Sequence, residues 1–199
     1  MCSSDLLAEV MQHRSMWKMM LLAGGASWFI SSSYQAQMPA YAHDIGHADP
    51  GFTYSLLLAA DALGALCAGL LWEYWGQRSP ASTRKAMVFA LVWAVSMALF
   101  AMADRYAIAV VLLFVAGFAE LTSNATAQTI VQTSAPLHIR GRVIGLFNMA
   151  ALGLRFGSGL MVGVMGGWLG IHGSLVAACL SFVAFLLFLQ LHFKKGHVS

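Results

Sequence analysis

Charged residues are scarce in this sequence: they make up 10% of its 199 residues, whereas 59% are hydrophobic, and the mean hydropathy is +0.72. A soluble domain of this length cannot bury so much apolar surface, and a soluble helical domain would need a polar outer face on every helix. Long stretches here have no such face. The scarcity of charge therefore excludes an ordinary soluble protein and favours an integral membrane protein.

Cysteine and proline are also rare. Three cysteines, far apart in the chain, do not make a disulfide framework, and we interpret Cys67 and Cys179 as small core residues. The four prolines fall between apolar stretches, which predicts that no stretch is interrupted. These prolines are Pro39, Pro50, Pro80 and Pro136.

Several functional signatures are absent. Met1–Arg14 lacks the basic start and apolar run of a secretory signal, so we expect the first membrane helix to direct insertion itself. The sequence has no phosphate-binding loop, zinc-protease helix or nucleophile elbow, so we expect neither an enzyme nor a cofactor. The net charge of +3 is spread over short clusters, which argues against nucleic-acid binding.

Six apolar stretches of about 20 residues are present, each long enough to cross a ~30 Å hydrocarbon core as a helix. They predict an all-α integral membrane protein, a bundle of six transmembrane helices. The predicted spans are Met16–Gln35, Tyr54–Trp72, Ala86–Ala103, Tyr106–Thr126, Val143–Leu169 and Ser174–Phe193.

Lysine and arginine predict the orientation, because they concentrate in the cytoplasmic loops of membrane proteins. If the spans alternate, one side holds nearly all of them, and the opposite loops hold only Arg105. This predicts a multi-pass protein of the plasma (inner) membrane with both termini in the cytoplasm. The residues on the basic side are Arg14, Lys18, Arg78, Arg84, Lys85, Arg140, Arg142, Lys194 and Lys195.

Three ionisable residues, Asp61, Glu120 and Arg155, lie at membrane depth. Each costs on the order of 3 kcal/mol or more unless it meets water or a partner, so they either tie helices together or serve a solute, proton or gating role. Counted along the helices, Asp61 and Arg155 lie roughly 13 Å and 10 Å from the outer edge and could meet. Glu120, roughly 22 Å deep, is expected to be too deep to join them.

The fourth span carries a polar stripe of four-residue spacing: Glu120, Asn124, Gln128 and Gln132. This spacing keeps the side chains near one helix face, which lipid would reject. We expect the stripe to line an aqueous cavity; a polar seam between helices is the alternative.

The first span ends in a polar and aromatic segment that includes Trp28 and Gln35. Such side chains could contact an amphipathic solute. An ordinary aromatic belt at the membrane interface is the alternative.

Glycines recur at four-residue spacing in the fifth span. This spacing allows close packing of membrane helices, and it also permits sliding or bending. The residues are Gly153, Gly157, Gly159, Gly163 and Gly167.

The first outer loop contains His43, Asp44, His47 and Asp49. These residue types can bind a metal ion, but short loops often collect them by chance. We therefore expect no metal site and keep metal handling or a small membrane enzyme as a minor alternative.

One loop resembles a known family. Gly69, Glu73, Gly76 and Arg78 stand in the pattern of the cytoplasmic loop signature of the major facilitator superfamily. Glu73 replaces the usual aspartate, and Gln77 replaces one basic residue. An acid at this helix end can dock on a neighbouring helix terminus or an arginine, and motion can break that contact.

Three further stretches carry the same resemblance. Residues 135–147, with Arg140 and Arg142, are similar to the loop before the eleventh helix in facilitator exporters of the enterobactin-exporter and multidrug-efflux type. Residues 34–39 and 54–60 resemble the seventh and eighth helices of that branch.

The resemblance implies the C-terminal half of a twelve-helix fold, itself a 3+3 inverted repeat. Residues 1–15 would be a remnant of the central connector, 16–195 the six-helix domain and 196–199 a cytoplasmic tail.

The resemblance also implies a function. It indicates an exporter of a small amphipathic organic solute, such as a drug or siderophore, working by alternating access with proton coupling. Glu120 is the candidate for proton coupling, and Asp61 with Arg155 for a gate or solute-binding pair. The alternative is an inactive half, or a subunit that needs a partner half. The expected partners are lipid, the solute and a second six-helix half.

Overall fold

The computed structural model describes residues 10–11, 13–31, 33–45, 50–75 and 80–194. This part of the chain forms helices and connecting segments and contains no strand. The helices are α1 (Arg14–Phe29), α2 (Ser33–Ile45), α3 (Pro50–Trp75), α4 (Thr83–Ala101), α5 (Tyr106–Ser134), α6 (Arg140–Gly153) and α7 (Arg155–Lys194). The prediction of an all-α membrane domain is confirmed.

Four helical segments of the described chain are long and apolar enough to cross a membrane. They correspond to the second, third, fourth and sixth predicted spans: Gly51–Tyr74, Thr83–Ala101, Tyr106–Ser134 and Gly166–Phe193. α5 continues past the predicted end at Thr126 to Ser134. In this extension the hydroxyl groups of Thr129 and Thr133 bond back to carbonyl groups of the preceding turn, which gives these polar groups a partner within the helix.

The first and fifth predicted spans are each broken into two helices. α1 ends at Phe29 and α2 begins at Ser33, whereas α6 ends at Gly153 and α7 begins at Arg155. The prediction of uninterrupted helices here was wrong. Consecutive serines after α1 and a glycine at the end of α6 both favour a break, because serine offers the backbone competing hydrogen bonds and glycine has a low helix propensity.

Proline placement also differs from the prediction at one position. Pro39 lies inside α2, which runs beyond the predicted span end at Gln35 to Ile45. Membrane helices tolerate proline where neighbouring groups satisfy the freed backbone. Pro50 is the first residue of α3, where a missing N–H does no harm.

The fifth and sixth spans join at Gly170. Its φ of 71° is the left-handed conformation that glycine adopts readily, and it divides α7 into residues 155–169 and 171–194. Two contacts hold this turn. His172 Nδ1 lies 2.6 Å from the carbonyl oxygen of Ala101, and the hydroxyl of Tyr41 donates to the carbonyl oxygen of Ile171 at 2.8 Å.

Successive spans alternate in direction. α3 and α5 are parallel, because the hydroxyl of Tyr106, which begins α5, donates to the carbonyl oxygen of Thr53 near the start of α3. α4 runs the opposite way, since Ser123 in the later half of α5 donates to the carbonyl oxygen of Ala86 at the start of α4 (2.9 Å).

The remaining spans also alternate in direction. Ser27 near the end of α1 donates to the carbonyl oxygen of Ala151 near the end of α6, so these two helices are parallel. Phe193 lies near the start of α1, with its ring centroid 5.8 Å from the guanidinium carbon of Arg14. The segment 171–194 is therefore antiparallel to α1.

This alternation places the starts of α1, α4 and α6 at one end of the bundle, with Arg14, Arg84 and Arg140. We call it the basic end. The opposite end, with Tyr106 and Gly170, is the distal end.

Glycines bring α3 and α5 into backbone contact. A Cβ atom at Gly64 would lie 2.0 Å from the carbonyl oxygen of Phe114, and one at Gly117 would lie 2.1 Å from that of Asp61. Small residues at these positions allow the two backbones to approach closely. Close packing of this kind stabilises helix association in lipid, where apolar contact alone brings no advantage.

The glycines of the fifth span contribute less packing than expected. Gly157 lies against Trp28, but a Cβ atom at Gly153, Gly159 or Gly167 would have nothing within 4 Å among the described residues. The packing interpretation is therefore wrong for these three within this chain, while the surroundings of Gly163 lie outside the described residues.

Candidate functional site

A polar cavity lies where α1, α4 and α5 meet the break between α6 and α7. Its volume is about 50 Å³. This is room for a few water molecules but not for a drug-sized solute, which occupies roughly 300 Å³ or more. The lining residues are Leu22, Ala23, Ala26, Ser27, Ser31, Ala90, Trp93, Glu120, Ser123, Asn124, Ala127, Ala151 and Arg155.

Glu120 and Arg155 line this cavity together. Glu120 lies half-buried on α5, and Arg155 is the first residue of α7, directly after the break at Leu154. Asp61 lies nearby on α3, opposite Gly117, which is three residues before Glu120 on α5. A half-buried carboxylate and a cationic side chain thus line one small polar space.

Asp61 is held one helical turn from Glu120. The hydroxyl of Tyr34 donates to its Oδ2 at 3.3 Å, and Gln35 Nε2 donates to the Tyr34 oxygen at 3.5 Å. Asp61 also packs on Gly117, because a Cβ atom there would lie 2.8 Å from its Oδ1. Tyr34 therefore links the start of α2 to the carboxylate on α3.

The predicted grouping by depth differs from this arrangement. Glu120, expected to be too deep, shares the cavity with Arg155, whereas Asp61 does not line it. The depth count treated each helix as upright and ignored how far neighbours slide past each other. Gly117 lies opposite Asp61, and Glu120 is three residues further along α5.

The polar stripe of α5 faces the cavity over part of its length. Glu120 and Asn124 line the cavity, as predicted, while Gln128 and Gln132 are half-buried and lie beyond it towards the basic end. The part of the stripe that lines the cavity is thus confined to about one turn of α5.

Residues at the end of the first predicted span lie in two different environments. Ser27 and Ser31 line the cavity, whereas Trp28 faces away and contacts the Phe156 ring edge-on, with centroids 5.8 Å apart. Gln35 is exposed. The segment is therefore neither a uniform interfacial belt nor a uniform solute-contact surface.

Trp93 is a cavity residue that sequence reasoning missed. Its indole N–H is buried and has no hydrogen-bond partner among the described residues. In the sequence it is one tryptophan in an apolar span, which indicates only a core residue. Here it offers a donor to whatever occupies the cavity.

The loop motif at the basic end is described in part. Gly69 and Glu73 are exposed near the end of α3, and Gly76 and Arg78 lie outside the described residues. Arg142 is exposed.

Arg140 begins α6 and is half-buried. Its Nη2 donates to the carbonyl oxygen of Ala135 at 3.5 Å, which ties the start of α6 to the end of α5.

The family comparison covers nearly the whole chain. The model of MFS_3, described as transmembrane secretion effectors, matches residues 10–198. The chain belongs to this major facilitator family. A search of curated proteins and a search of solved structures gave no significant match. The superfamily predicted from the loop motif is thus confirmed, and the chain is a membrane transport protein.

The distal end carries a small polar cluster. Asp44 lies 3.4 Å from His43 Nδ1 and 3.5 Å from Nε2 of His172, a residue that the sequence pattern did not single out. His47 and Asp49 lie outside the described residues. Within the described residues, no three potential ligands group as they would around a metal ion.

Proposed function

We propose that this chain is one half of a secondary exporter that moves a small amphipathic organic solute, such as a drug or siderophore, by alternating access driven by proton exchange. The observation that carries the proposal is the Glu120 carboxyl in a polar cavity at membrane depth, with Arg155 beside it. Ionisable groups at this depth are expensive and mark solute or proton routes.

Glu120 is the proposed proton-coupling residue. When ionised, it attracts Arg155; when protonated, it loses that attraction. Arg155 begins α7 directly after a helix break, so the change in attraction acts where the backbone is already discontinuous. A local charge change can then bias the position of the segment 155–169.

Asp61 is proposed to act at the second break. Its partner Tyr34 lies just after the interruption between α1 and α2. Each carboxylate thus has a partner in the helical segment that follows a break within a span. Discontinuous helices near mid-membrane commonly form solute sites in transporters. Asn124, Gln128 and Gln35 are proposed to extend the polar route.

A second half is proposed to complete the solute site. The cavity of this half is far smaller than a drug-sized solute requires. The glycines at 153, 159 and 167 and the exposed Leu152 and Phe156 offer a face on which another helix could pack closely. We propose residues 16–195 as the six-helix domain, with 1–15 as a connector and 196–199 as a tail.

The proposed membrane is the plasma (inner) membrane, with the basic end in the cytoplasm. The loop motif of Gly69, Glu73, Gly76 and Arg78, together with Arg140 and Arg142, is then proposed as the cytoplasmic gate.

Energised membrane vesicles test the coupling. Vesicles carrying the chain, alone and co-expressed with a six-helix half, are assayed for transport of fluorescent amphipathic dyes driven by a pH gradient. Glu120→Gln should abolish the gradient dependence, because the amide cannot exchange a proton. Asp104→Asn, the same type of change at an exposed distal residue, should leave it intact.

Gradient-driven flux that persists in Glu120→Gln would remove Glu120 from the mechanism. Absence of flux from the wild-type chain alone, with flux restored by the second half, would favour the hypothesis that the chain is a subunit that needs a partner half. Absence in both cases would favour the inactive half.

A further inference from the structure

An apolar groove lies on the opposite side of the α1–α6 contact from the polar cavity. It is open to the outside of the bundle, has a volume of about 380 Å³ and is almost free of polar surface. Trp17, Leu21 and Trp28 of α1 form one wall, and Leu146 and Phe185 lie across from them.

Two glycines lie in the floor of the groove and let its walls approach α1. A Cβ atom at Gly25 would overlap the ring of Phe185, and one at Gly24 would lie 3.2 Å from Leu154. The missing side chains therefore allow Phe185 and Leu154 to lie close against α1.

The length of the groove matches one membrane leaflet. Trp17 and Trp28 lie eleven positions apart on a helix, which is roughly 16 Å. This is about half of a ~30 Å hydrocarbon core, the depth that the acyl chains of a single leaflet occupy.

Two basic side chains stand at the mouth of this groove. The Arg14 guanidinium carbon and the Lys18 ammonium nitrogen each lie 5.8 Å from the ring centroid of Phe193. Phe193 follows the groove residue Phe185 by eight positions on one helix, which places it roughly 12 Å closer to the basic end. Positive charge thus lies where an acyl chain in the groove would meet its headgroup.

We propose that this groove binds an anionic phospholipid from the leaflet at the basic end. One acyl chain lies along α1 between Trp17 and Trp28, and the phosphate lies beside Arg14 and Lys18. A basic residue near an anionic headgroup contributes about 1 kcal/mol. The lipid packs against the outer side of the contact between Ser27 and Ala151, whose inner side is the cavity. The site does not depend on which solute the protein carries.

Tryptophan quenching by brominated lipids tests the proposal in a chain whose other four tryptophans are replaced by phenylalanine, so that Trp17 and Trp28, which line the groove, are the reporters. The full chain is placed in phosphatidylcholine bilayers, and brominated phosphatidylglycerol or brominated phosphatidylcholine with the same chains is titrated in. The wild type should bind phosphatidylglycerol about 25-fold more tightly, about 5-fold for each of the two basic residues. Arg14→Gln with Lys18→Gln should reduce that preference by about 5-fold per residue removed.

Matched variants distinguish recognition of the lipid headgroup from binding of the acyl chain. Arg84→Gln with Lys85→Gln removes the same charge at the same end and should keep the preference. Ala150→Phe fills the groove and should weaken binding of both lipids without changing their ratio, whereas Val95→Phe on the exposed face of α4 should change neither.

Three results would overturn the proposal: no preference in the wild type, equal loss of preference in both charge variants, or unchanged quenching in Ala150→Phe. Displacement of the brominated lipid by a transported dye would also overturn it, by assigning the groove to the transport route.

Discussion

Glycine has opposite effects at different positions of this chain, depending on what surrounds it. Gly117 lies against the backbone of Asp61, which in turn positions the Asp61 carboxylate near Glu120. Gly145 on α6 has nothing within 4 Å among the described residues. The same substitution should therefore change stability in opposite directions at the two sites.

Gly117→Ala should destabilise the protein by about 1–3 kcal/mol, because the added methyl group would force α3 away from α5. Gly145→Ala should be neutral or stabilising by up to about 1 kcal/mol, because alanine favours a helix. Thermal unfolding in detergent measures both. A Gly117→Ala protein as stable as Gly145→Ala would contradict the close backbone contact.

Two of the helical spans are interrupted, and the interruptions border the cavity. Ser31 follows the end of α1, and Arg155 follows the end of α6; both line the same polar space. Interrupted backbone is tolerated at membrane depth where it lines a water-filled space or is buried in protein. We therefore expect water to reach this level of the bundle.

Cysteine labelling tests whether the cavity is wet. In a chain without its native cysteines, Ser31→Cys and Asn124→Cys should react with a water-soluble maleimide, because the reactive thiolate forms in water. Ser181→Cys, at an exposed position of α7, should face lipid and react far more slowly. Equal rates at all three positions would contradict an aqueous cavity.

At the scale of the whole molecule, alternation of the spans separates a basic end from a distal end. His138, just before α6, and Asp104, just before α5, lie at opposite ends and are both exposed. From the positive-inside rule we propose that the basic end lies in the cytoplasm.

An impermeant thiol reagent tests this arrangement in intact cells. Asp104→Cys should be labelled from outside, and His138→Cys only after the membrane is opened. Labelling of both positions from one face would contradict the alternation of spans on which the six-helix bundle depends.

The sequence by itself determined the membrane class, the approximate spans and the clustering of basic residues at one end. These properties follow from local composition, since about 20 apolar residues suffice to define a crossing. The family motif was equally local, because Gly69 and Glu73 lie within a few residues of each other.

Only the tertiary structure decided which polar groups at membrane depth lie near each other. Glu120 lies with Arg155, and Tyr34 bonds Asp61, because of how the helices rotate, tilt and slide against one another, which the spacing along one helix does not encode. The structure also divides the first and fifth predicted spans, with α1 ending at Phe29 and α6 at Gly153. Length and hydropathy specify that a segment crosses the membrane, but packing against neighbours specifies whether it crosses as one helix.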